Sequence, residues 1–367
     1  MSETALTDDD APRPLRYGWT TGACATAAAK AAYQALLTGR FPDPVTIRLP
    51  KGQTPSFALA RERLQADVAE AGVIKDAGDD PDVTHGALVL ARVRHGAPGS
   101  GPTFRAGEGV GTVTKPGLPL PLGEPAINPV PRAMMRDAIR EVAETCGGSG
   151  DVVVEIAIPG GEALALKTWN PRLGILGGLS ILGTTGIVVP YSCSAWIHAI
   201  HRGIDVARAL GHAHVAGSVG ATSERLVQSL YGLPETALID MGDFVGGMLK
   251  YLRTHPVGRV TIAGGFAKIS KLAQGHLDLH SGRSQVDPDF LATLVRDLGG
   301  DPGLVGDVRA ANTALQALQL AEAAGCPVAN RVAALARDVA RGVLASAETR
   351  VDVVVSDRDG RLVGRAE

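Results

Sequence analysis

The sequence has little net charge and few aromatic residues. Its 367 residues carry a formal net charge of −2, so we do not expect a nucleic-acid partner bound through phosphate neutralisation. Aromatic residues make up 4% of the chain, whereas glycine occurs 46 times. So many glycines indicate tight turns and places where the backbone lies close to other backbone or to a ligand.

Cysteine is also scarce, and the four cysteines are scattered as Cys24, Cys146, Cys193 and Cys326. No two of them form a Cys-x-x-Cys pair, which argues against a zinc site and against a disulfide framework. We expect small buried thiols in a reducing, cytoplasmic compartment. His198 with His201, and His276 with His280, have spacings that suit a metal but lack a third ligand, so we predict no metal site.

Charged residues are missing altogether from Leu173 to His201, which raises the question of a membrane span. Five glycines and Pro190 interrupt this run, whereas a spanning helix is more continuous in Leu, Ile and Val. We therefore expect a buried, glycine-rich core segment and no membrane partner. No signal peptide is recognised at the start, where residues 1–14 predict a disordered segment.

The length and the pattern of elements predict two domains and an α/β fold, with a boundary near residues 187–195. Residues 15–190 mix alternating strands with helices, one of them at Arg132–Thr145, which predicts an α+β domain. The proline-dense segment Gly107–Pro131 predicts an ordered loop. Residues 191–367 alternate strand, loop and helix, which predicts a Rossmann-like α/β domain with a mostly parallel sheet.

The segment Arg16–Ala32 joins Thr20 and Thr21 to an alanine-rich helix. Eight of the fifteen residues from Ala23 to Leu37 are alanine, which favours a helix that neighbours approach closely. A threonine hydroxyl oxygen caps such a helix well. Two interpretations stay open: a capped helix packed tightly through its small face, or a first turn whose free N–H groups face outward and bind an anion.

Three strand ends in the second half carry residues that suit an adenosine cofactor. Ligands of open parallel sheets bind at the carboxyl ends of the strands, where glycines let a nucleoside lie against the backbone and an acid accepts ribose hydroxyls. The candidates are Gly217, Gly220, Ser223 and Glu224 at the first end, Asp240 and Asp243 at the second, and Gly264 and Gly265 at the third. The acids serve equally well as helix caps.

No Gly-x-Gly-x-x-Gly occurs in this region, and no Gly-x-x-x-x-Gly-Lys followed by Ser or Thr. Their absence argues against dinucleotide and nucleoside triphosphate chemistry. Lys268 and Lys271 share one face of a helix predicted near Ala267–Ala273. They either meet ligand carboxylates or form a solvated face.

Several separated blocks resemble the CbiD family of cobalamin biosynthesis. The resemblance runs from Arg16 to about Arg341 and is carried by Tyr17–Gly22, Gly111–Leu118, Gly123–Arg132, Asn170–Ile175, Ile181–Gly186 and Lys271–His276. It implies transfer of a methyl group from S-adenosyl-L-methionine to ring carbon 1 of cobalt-precorrin-5B. The implied product is cobalt-precorrin-6A, in the oxygen-independent branch with early cobalt insertion.

The resemblance also implies a flat cobalt-corrinoid substrate edged with acetate and propionate groups, bound by residues 15–190, and a cofactor bound by residues 191–367. The expected substrate contacts are Thr20, Thr21, Lys115, Arg132, Asn170, Arg172, Thr184 and Thr185. For Arg132 and Arg172, a salt bridge or a cap is an equal alternative. The charge-free glycine segment would form a floor for the macrocycle, and the alanines of the first helix would let that helix lie close to it.

Because a sulfonium methyl is already activated, we expect no side chain to be essential as a base, and we expect Asp240 or Asp243 to hold the ribose. The chain departs from the family at Ala221, where many relatives have arginine, and at Ala267, where a glycine is frequent. Two other functions stay open, a nicotinamide-dependent oxidoreductase and a non-catalytic corrinoid carrier. Homo-oligomerisation also stays open.

Overall fold

The computed structural model describes residues 14–367, which fall into two units. The first unit contains the described residues up to Thr114 together with Pro119–Ser192. The second contains Lys115–Leu118 together with Cys193–Glu367. Residues 1–13, where we predict disorder, lie outside the described residues.

The first unit is an α+β fold of short strands and helices. Its elements are β1 (Gly18–Trp19), α1 (Thr21–Thr38), β2 (Val45–Thr46), β3 (Ser56–Phe57), β4 (Arg61–Leu64), β5 (Val68–Ile74), β6 (Leu88–His95), β7 (Thr103–Ala106), β8 (Thr112–Val113), α2 (Pro129–Cys146), β9 (Val152–Ala157), α3 (Gly161–Ala165), β10 (Ile175–Leu176) and β11 (Ile187–Val188). Five strands form one sheet in the order β4-β5-β6-β9-β7. Neighbours in it are antiparallel except β7 and β9, which are parallel.

Helix α1 lies at the centre of this unit, packed against α2, β5 and β6. It begins where Thr20 Oγ1 accepts the N–H of Ala23 at 3.2 Å, and it ends at Gly39, whose φ of +77° is the left-handed conformation that suits a C-cap. All eight of its alanines are buried. Small side chains bring the helix backbone close to its neighbours, so the capped, tightly packed interpretation of this helix is confirmed.

Helix α2 starts three residues before the predicted Arg132. Pro129 and Pro131 occupy its first turn, where the missing N–H of proline costs no helical hydrogen bond. The prediction of a loop extending to Pro131 was therefore wrong over its last three residues. The rest of the segment is ordered through backbone hydrogen bonds, such as Ala126 N–H to Gly111 O at 2.8 Å.

The second unit is an α/β fold around a five-stranded sheet. Its elements are α4 (Cys193–Ala209), β12 (His214–Ser218), α5 (Ala221–Tyr231), β13 (Leu238–Asp240), α6 (Val245–Thr254), β14 (Arg259–Gly265), α7 (Phe266–Ala273), α8 (Pro288–Asp297), α9 (Pro302–Arg309), α10 (Ala314–Ala323), α11 (Val328–Leu344), β15 (Arg350–Ser356) and β16 (Leu362–Ala366). The strand order is β13-β12-β14-β15-β16. The first four strands are parallel and β16 is antiparallel, so the predicted α/β class with a mostly parallel sheet is confirmed.

Helices cover both faces of this sheet. Alternate strand residues point to opposite faces. Val215, Ile262 and Val353 belong to a large core with α4, α6, α7 and α11, whereas Ala216 and Ala263 pack in a smaller core with α5. Within residues 14–367, no helix is long and apolar enough to cross a membrane.

Candidate functional site

Three sequence blocks of the first unit join at the start of α1. Gly22 N–H donates to Leu182 O at 2.9 Å, and Asn128 N–H donates to Ile181 O at 2.9 Å. A Cβ at Gly22 would lie 2.7 Å from Pro131 Cγ, which explains why only glycine fits there. Blocks that are distant in sequence, 160 residues for Gly22 and Leu182 and 53 for Asn128 and Ile181, therefore form one hydrogen-bonded layer.

Thr20 and Thr21 are buried in this layer, with 6% and 4% of their surface exposed. The Thr20 hydroxyl caps α1, and the Thr21 hydroxyl bonds the backbone of Leu182. The amides of Gly22 and Ala23 have partners within the chain, so the prediction of free, outward-facing N–H groups there was wrong. The prediction that the alanines of α1 line a substrate was also wrong, because protein side chains and backbone cover them.

Arg132 and Asn170 bind their own surroundings. The Arg132 guanidinium donates to Ile127 O at 2.7 Å and to Pro125 O at 3.0 Å, and it pairs with Glu124 at 2.9 Å. The buried Asn170 amide donates to Gly178 O at 3.3 Å. Both side chains thus hold loops in place, and their contact with substrate stays a prediction.

The other predicted substrate residues are more accessible. Thr184 is exposed, and the Thr185 hydroxyl accepts the Ile187 N–H at 3.2 Å. The Arg172 guanidinium lies 4.9 Å above the Trp169 ring. Lys115 is half-buried and belongs to the second unit. Most of the predicted residues in the first unit therefore use their polar groups within the protein.

Large apolar side chains of the charge-free segment are exposed in the first unit, namely Leu176, Leu182, Val189 and Tyr191. Tyr191 has a φ of +56°, which non-glycine residues seldom adopt. Its N–H donates to Asp80 Oδ1 at 2.8 Å, which holds this conformation and leaves 66% of the residue exposed. These four side chains make the charge-free segment the candidate region of the first unit for contact with an apolar ligand.

In the second unit, the sheet contains a point where the chain reverses its direction across the strands. From β12 the chain moves outward to β13 and then returns to β14 on the other side of β12. The loops after β12 and β14 therefore diverge at the carboxyl ends of these two strands. Such a switch point is where open α/β sheets bind their ligands.

The four predicted cofactor glycines divide into two pairs. A Cβ at Gly217 would lie 2.3 Å from Met248 Sδ, and one at Gly264 would lie 2.9 Å from Val219 Cγ2, so packing accounts for both. Gly220 and Gly265 have no atom within 4 Å of an added Cβ. Their φ values, −175° and −67°, suit any residue, so neither packing nor conformation requires glycine at these two positions.

A buried hydroxyl without a partner lies beside this crevice. Ser218 ends β12, is 1% exposed, and its Oγ has no hydrogen-bond partner among the described residues. By strand alternation it lies on the α5 face, together with Ala216. Ser223 lies in the first turn of α5, and its hydroxyl has a partner, since it donates to Gly220 O at 2.9 Å. Glu224 is the acidic residue of the same turn.

The two predicted ribose acids have partners within the protein. Asp240 Oδ1 accepts the Gly242 N–H at 3.1 Å. In the register of the parallel strands β12 and β13, Asp240 lies opposite Ser218. Asp243 Oδ1 lies 2.5 Å from Lys268 Nζ. Asp240 ends β13, the strand that lies beside β12, and so it belongs to the same edge of the sheet as the switch point.

Comparison with known proteins decides the family. The CbiD family model matches residues 8–190, and the model described as CbiD, C-terminal domain, matches residues 278–367. The cobalt-precorrin-5B C(1)-methyltransferase of Bradyrhizobium sp. (strain BTAi1) is 64% identical over 365 residues, covering 100% of this chain and 96% of the relative. This chain belongs to the CbiD family.

A second CbiD relative, the cobalt-precorrin-5B C(1)-methyltransferase of Paramagnetospirillum magneticum, is 63% identical over 96% of this chain and 98% of its own. A crystal structure of the cobalamin biosynthesis protein CbiD from Archaeoglobus fulgidus aligns with 69% of this chain and 77% of that chain, at 24% identity and a TM-score of 0.39. The family-model matches and the identities of the two relatives confirm the resemblance that the sequence blocks indicate.

Sequence reasoning missed two features of this CbiD chain. Ser218 lies between Gly217 and Gly220, which we selected, and its signal was a polar residue directly after the apolar run 215–217. Lys271 is 5% exposed, which excludes the solvated-face interpretation for this lysine. No local pattern predicts that burial, because Leu279, whose carbonyl accepts from the Lys271 ammonium, comes from the loop after α7.

Proposed function

We propose that this chain transfers a methyl group from S-adenosyl-L-methionine to ring carbon 1 of cobalt-precorrin-5B, giving cobalt-precorrin-6A. Relatives that match it over nearly their whole length carry the name of this reaction. No observation favours a nicotinamide-dependent oxidoreductase or a corrinoid carrier. The four cysteines are free, which supports a reducing, cytoplasmic compartment.

The cofactor binds in the crevice between the ends of β12 and β14. The observation that carries this proposal is the pair of open glycines, Gly220 and Gly265, since an added side chain would meet no protein atom at either position. A ligand that lies against the backbone gives glycine a purpose at both positions. The Ser218 hydroxyl, which has no hydrogen-bond partner among the described residues, also suits this cofactor, because adenosine offers several hydrogen-bonding atoms.

The macrocycle binds on the first unit, over the exposed apolar residues of the charge-free segment. Leu182 and Tyr191 offer apolar surface to a flat ring, and the exposed Thr184 offers a hydroxyl to a ring carboxylate. Thr20 and Thr21 act behind this surface by fixing the loop that carries Leu182. Arg172 and Lys115 are the cations that we assign to substrate carboxylates.

When bound, the cofactor supplies a methyl group on a sulfonium, which is already a strong electrophile. The protein then needs to bind the cofactor and the precorrin, to orient them, and to exclude water. Correct orientation alone accounts for a large part of such rate enhancements. Asp240 accepts hydrogen bonds from ribose hydroxyls. No side chain of this chain is required as a base in the methyl transfer itself.

The test is incubation of the purified chain with cobalt-precorrin-5B and methyl-labelled S-adenosyl-L-methionine. We expect label in a product whose mass is that of cobalt-precorrin-6A, and one S-adenosylhomocysteine for each methyl transferred. Binding of the precorrin without incorporation of label would instead indicate a carrier. Dependence on NAD(H), with no use of the sulfonium, would indicate an oxidoreductase.

A further inference from the structure

Lys271 is a buried cation for which the described residues supply too few partners. Its ammonium donates to Leu279 O at 3.0 Å. An ammonium has three N–H donors, and among residues 14–367 this carbonyl is the one acceptor at hydrogen-bonding distance. Burying a charge with so few partners costs free energy, so the fold alone gives no reason for it.

A second cation lies beside it. Lys268 Nζ is also 3.0 Å from Leu279 O, and it is the one that contacts Asp243, at 2.5 Å. The nearby Asp278 carboxylate accepts from Arg283 at 2.9 Å and from the His280 N–H at 3.0 Å. The negative charges near the pair are therefore already engaged, and burial together with Lys268 lowers the pKa of Lys271.

The lysine pair lies near the carboxyl edge of the sheet. Helix α7 starts at the end of β14, directly after Gly265. The Leu279 N–H donates at 2.9 Å to the carbonyl of Asp243, in the loop that follows β13. The carbonyl shared by the two lysines is thus tied to the strand ends, where ligands of such sheets bind.

We propose that Lys271, together with Lys268, forms a subsite for a carboxylate of a ligand. The proposal rests on the proposed function, which supplies two sources of that group: the methionine part of the cofactor and the acetate or propionate side chains of the precorrin. A carboxylate provides the acceptors and the countercharge that Lys271 lacks. A carboxylate is the anionic group that both the cofactor and the precorrin carry, and it answers both deficits at once.

The test uses Lys271→Met, which keeps the length of the side chain and removes the charge, with Lys250→Met on the exposed face of α6 as the matched control. Calorimetry measures binding of S-adenosylhomocysteine and of 5′-methylthioadenosine, which lacks the amino-acid part. If the subsite holds the cofactor carboxylate, Lys271→Met binds S-adenosylhomocysteine about 10- to 100-fold more weakly and 5′-methylthioadenosine unchanged.

If the subsite holds a precorrin carboxylate, both affinities stay at the wild-type value and the KM for cobalt-precorrin-5B rises at least about tenfold. Unchanged affinities together with an unchanged KM would overturn the proposal. An equal loss of affinity for S-adenosylhomocysteine and for 5′-methylthioadenosine would also overturn it. Lys271→Gln gives the same readouts should Lys271→Met fail to fold. Failure of the proposed function would look different, because the wild-type chain would then neither bind S-adenosylhomocysteine nor transfer a methyl group.

Discussion

Thr21 and Leu182 exchange two hydrogen bonds across 161 residues of sequence. The Thr21 hydroxyl donates to Leu182 O at 3.3 Å, and the Leu182 N–H donates to Thr21 Oγ1 at 3.1 Å. One buried side chain thereby fixes the backbone that carries an exposed leucine. The start of α1 supports the proposed substrate surface from beneath.

Replacing Thr21 by Val tests this support. The change keeps the shape and removes the hydroxyl, which leaves the Leu182 N–H without its acceptor. We expect the free energy of unfolding in urea to fall by about 1–3 kcal/mol. Thr21→Ser keeps the hydroxyl and is the matched control, so equal losses in the two variants would contradict the role of the hydrogen bonds.

The open glycines predict a separation of binding from stability. We expect Gly220→Ala and Gly265→Ala to change the free energy of unfolding by less than about 1 kcal/mol, because both backbone conformations suit alanine. The affinity for S-adenosylhomocysteine should fall about tenfold or more as the methyl group occupies the crevice.

The control for these variants is Gly306→Ala on the exposed surface of α9, where an added Cβ also meets nothing. It should leave the affinity unchanged. Wild-type affinity in both Gly220→Ala and Gly265→Ala would move the cofactor away from the β12–β14 crevice.

Asp352 holds together a cluster of charges under α5. It is fully buried on β15, pairs with Arg259, and lies 3.2 Å from Arg350 Nε. Asp352→Asn leaves Arg259 without its countercharge, whereas Arg350 keeps Glu367 at 2.8 Å. We expect the free energy of unfolding to fall by about 3 kcal/mol.

Asp297→Asn is the comparison for Asp352→Asn, since Asp297 and its partner Arg296 are both more than half exposed. The free energy of unfolding should fall by less than about 1 kcal/mol in Asp297→Asn. Similar losses in the two variants would mean that the Asp352 cluster contributes nothing beyond a surface pair.

His214 gives the second unit a pH dependence. Its Nε2 lies 2.8 Å from Thr261 Oγ1, and burial, followed by the charge of Arg259, lowers its pKa to about 4. The unfolded chain takes up this proton near the usual value of 6.5 and the folded chain only near 4. The contribution of His214 to stability is therefore lost as the pH falls from about 6.5 to about 4.

Urea unfolding at several pH values between 4.5 and 7.5 measures this effect. We expect His214→Gln to flatten the decline of stability with falling pH, whereas His95→Gln, at an exposed position of β6, keeps the wild-type slope. The same slope in His214→Gln and wild type would refute the assignment.

Local patterns were enough to predict much of the fold. The alternation of strand and helix after Pro190 predicted the parallel sheet, because short-range hydrophobic patterns fix which segments form strands. That a threonine caps the start of α1 followed from residue type alone. The first turn of α2 was mispredicted because proline is read as a breaker, although it is accepted at a helix start.

The candidate site was less predictable. Arg132 matched a ligand-binding pattern, yet its guanidinium binds the loop Glu124–Ile127. Gly217 and Gly220 look alike in the sequence, and only their neighbours distinguish the packed glycine from the open one. Burial and hydrogen-bond partners depend on residues far away in the chain, so no local pattern contains them.

The sequence by itself determined the family, the strand–helix pattern and the strand ends that carry polar residues, since these depend on residue types and their spacing. The tertiary structure alone decided that the alanines of α1 face protein, that Ser218 Oγ has no partner within residues 14–367, and that Lys271 is buried beside Lys268. Each of these depends on which distant segments pack together. Solvation and charge at a site are set by that packing, and they decide what the site binds.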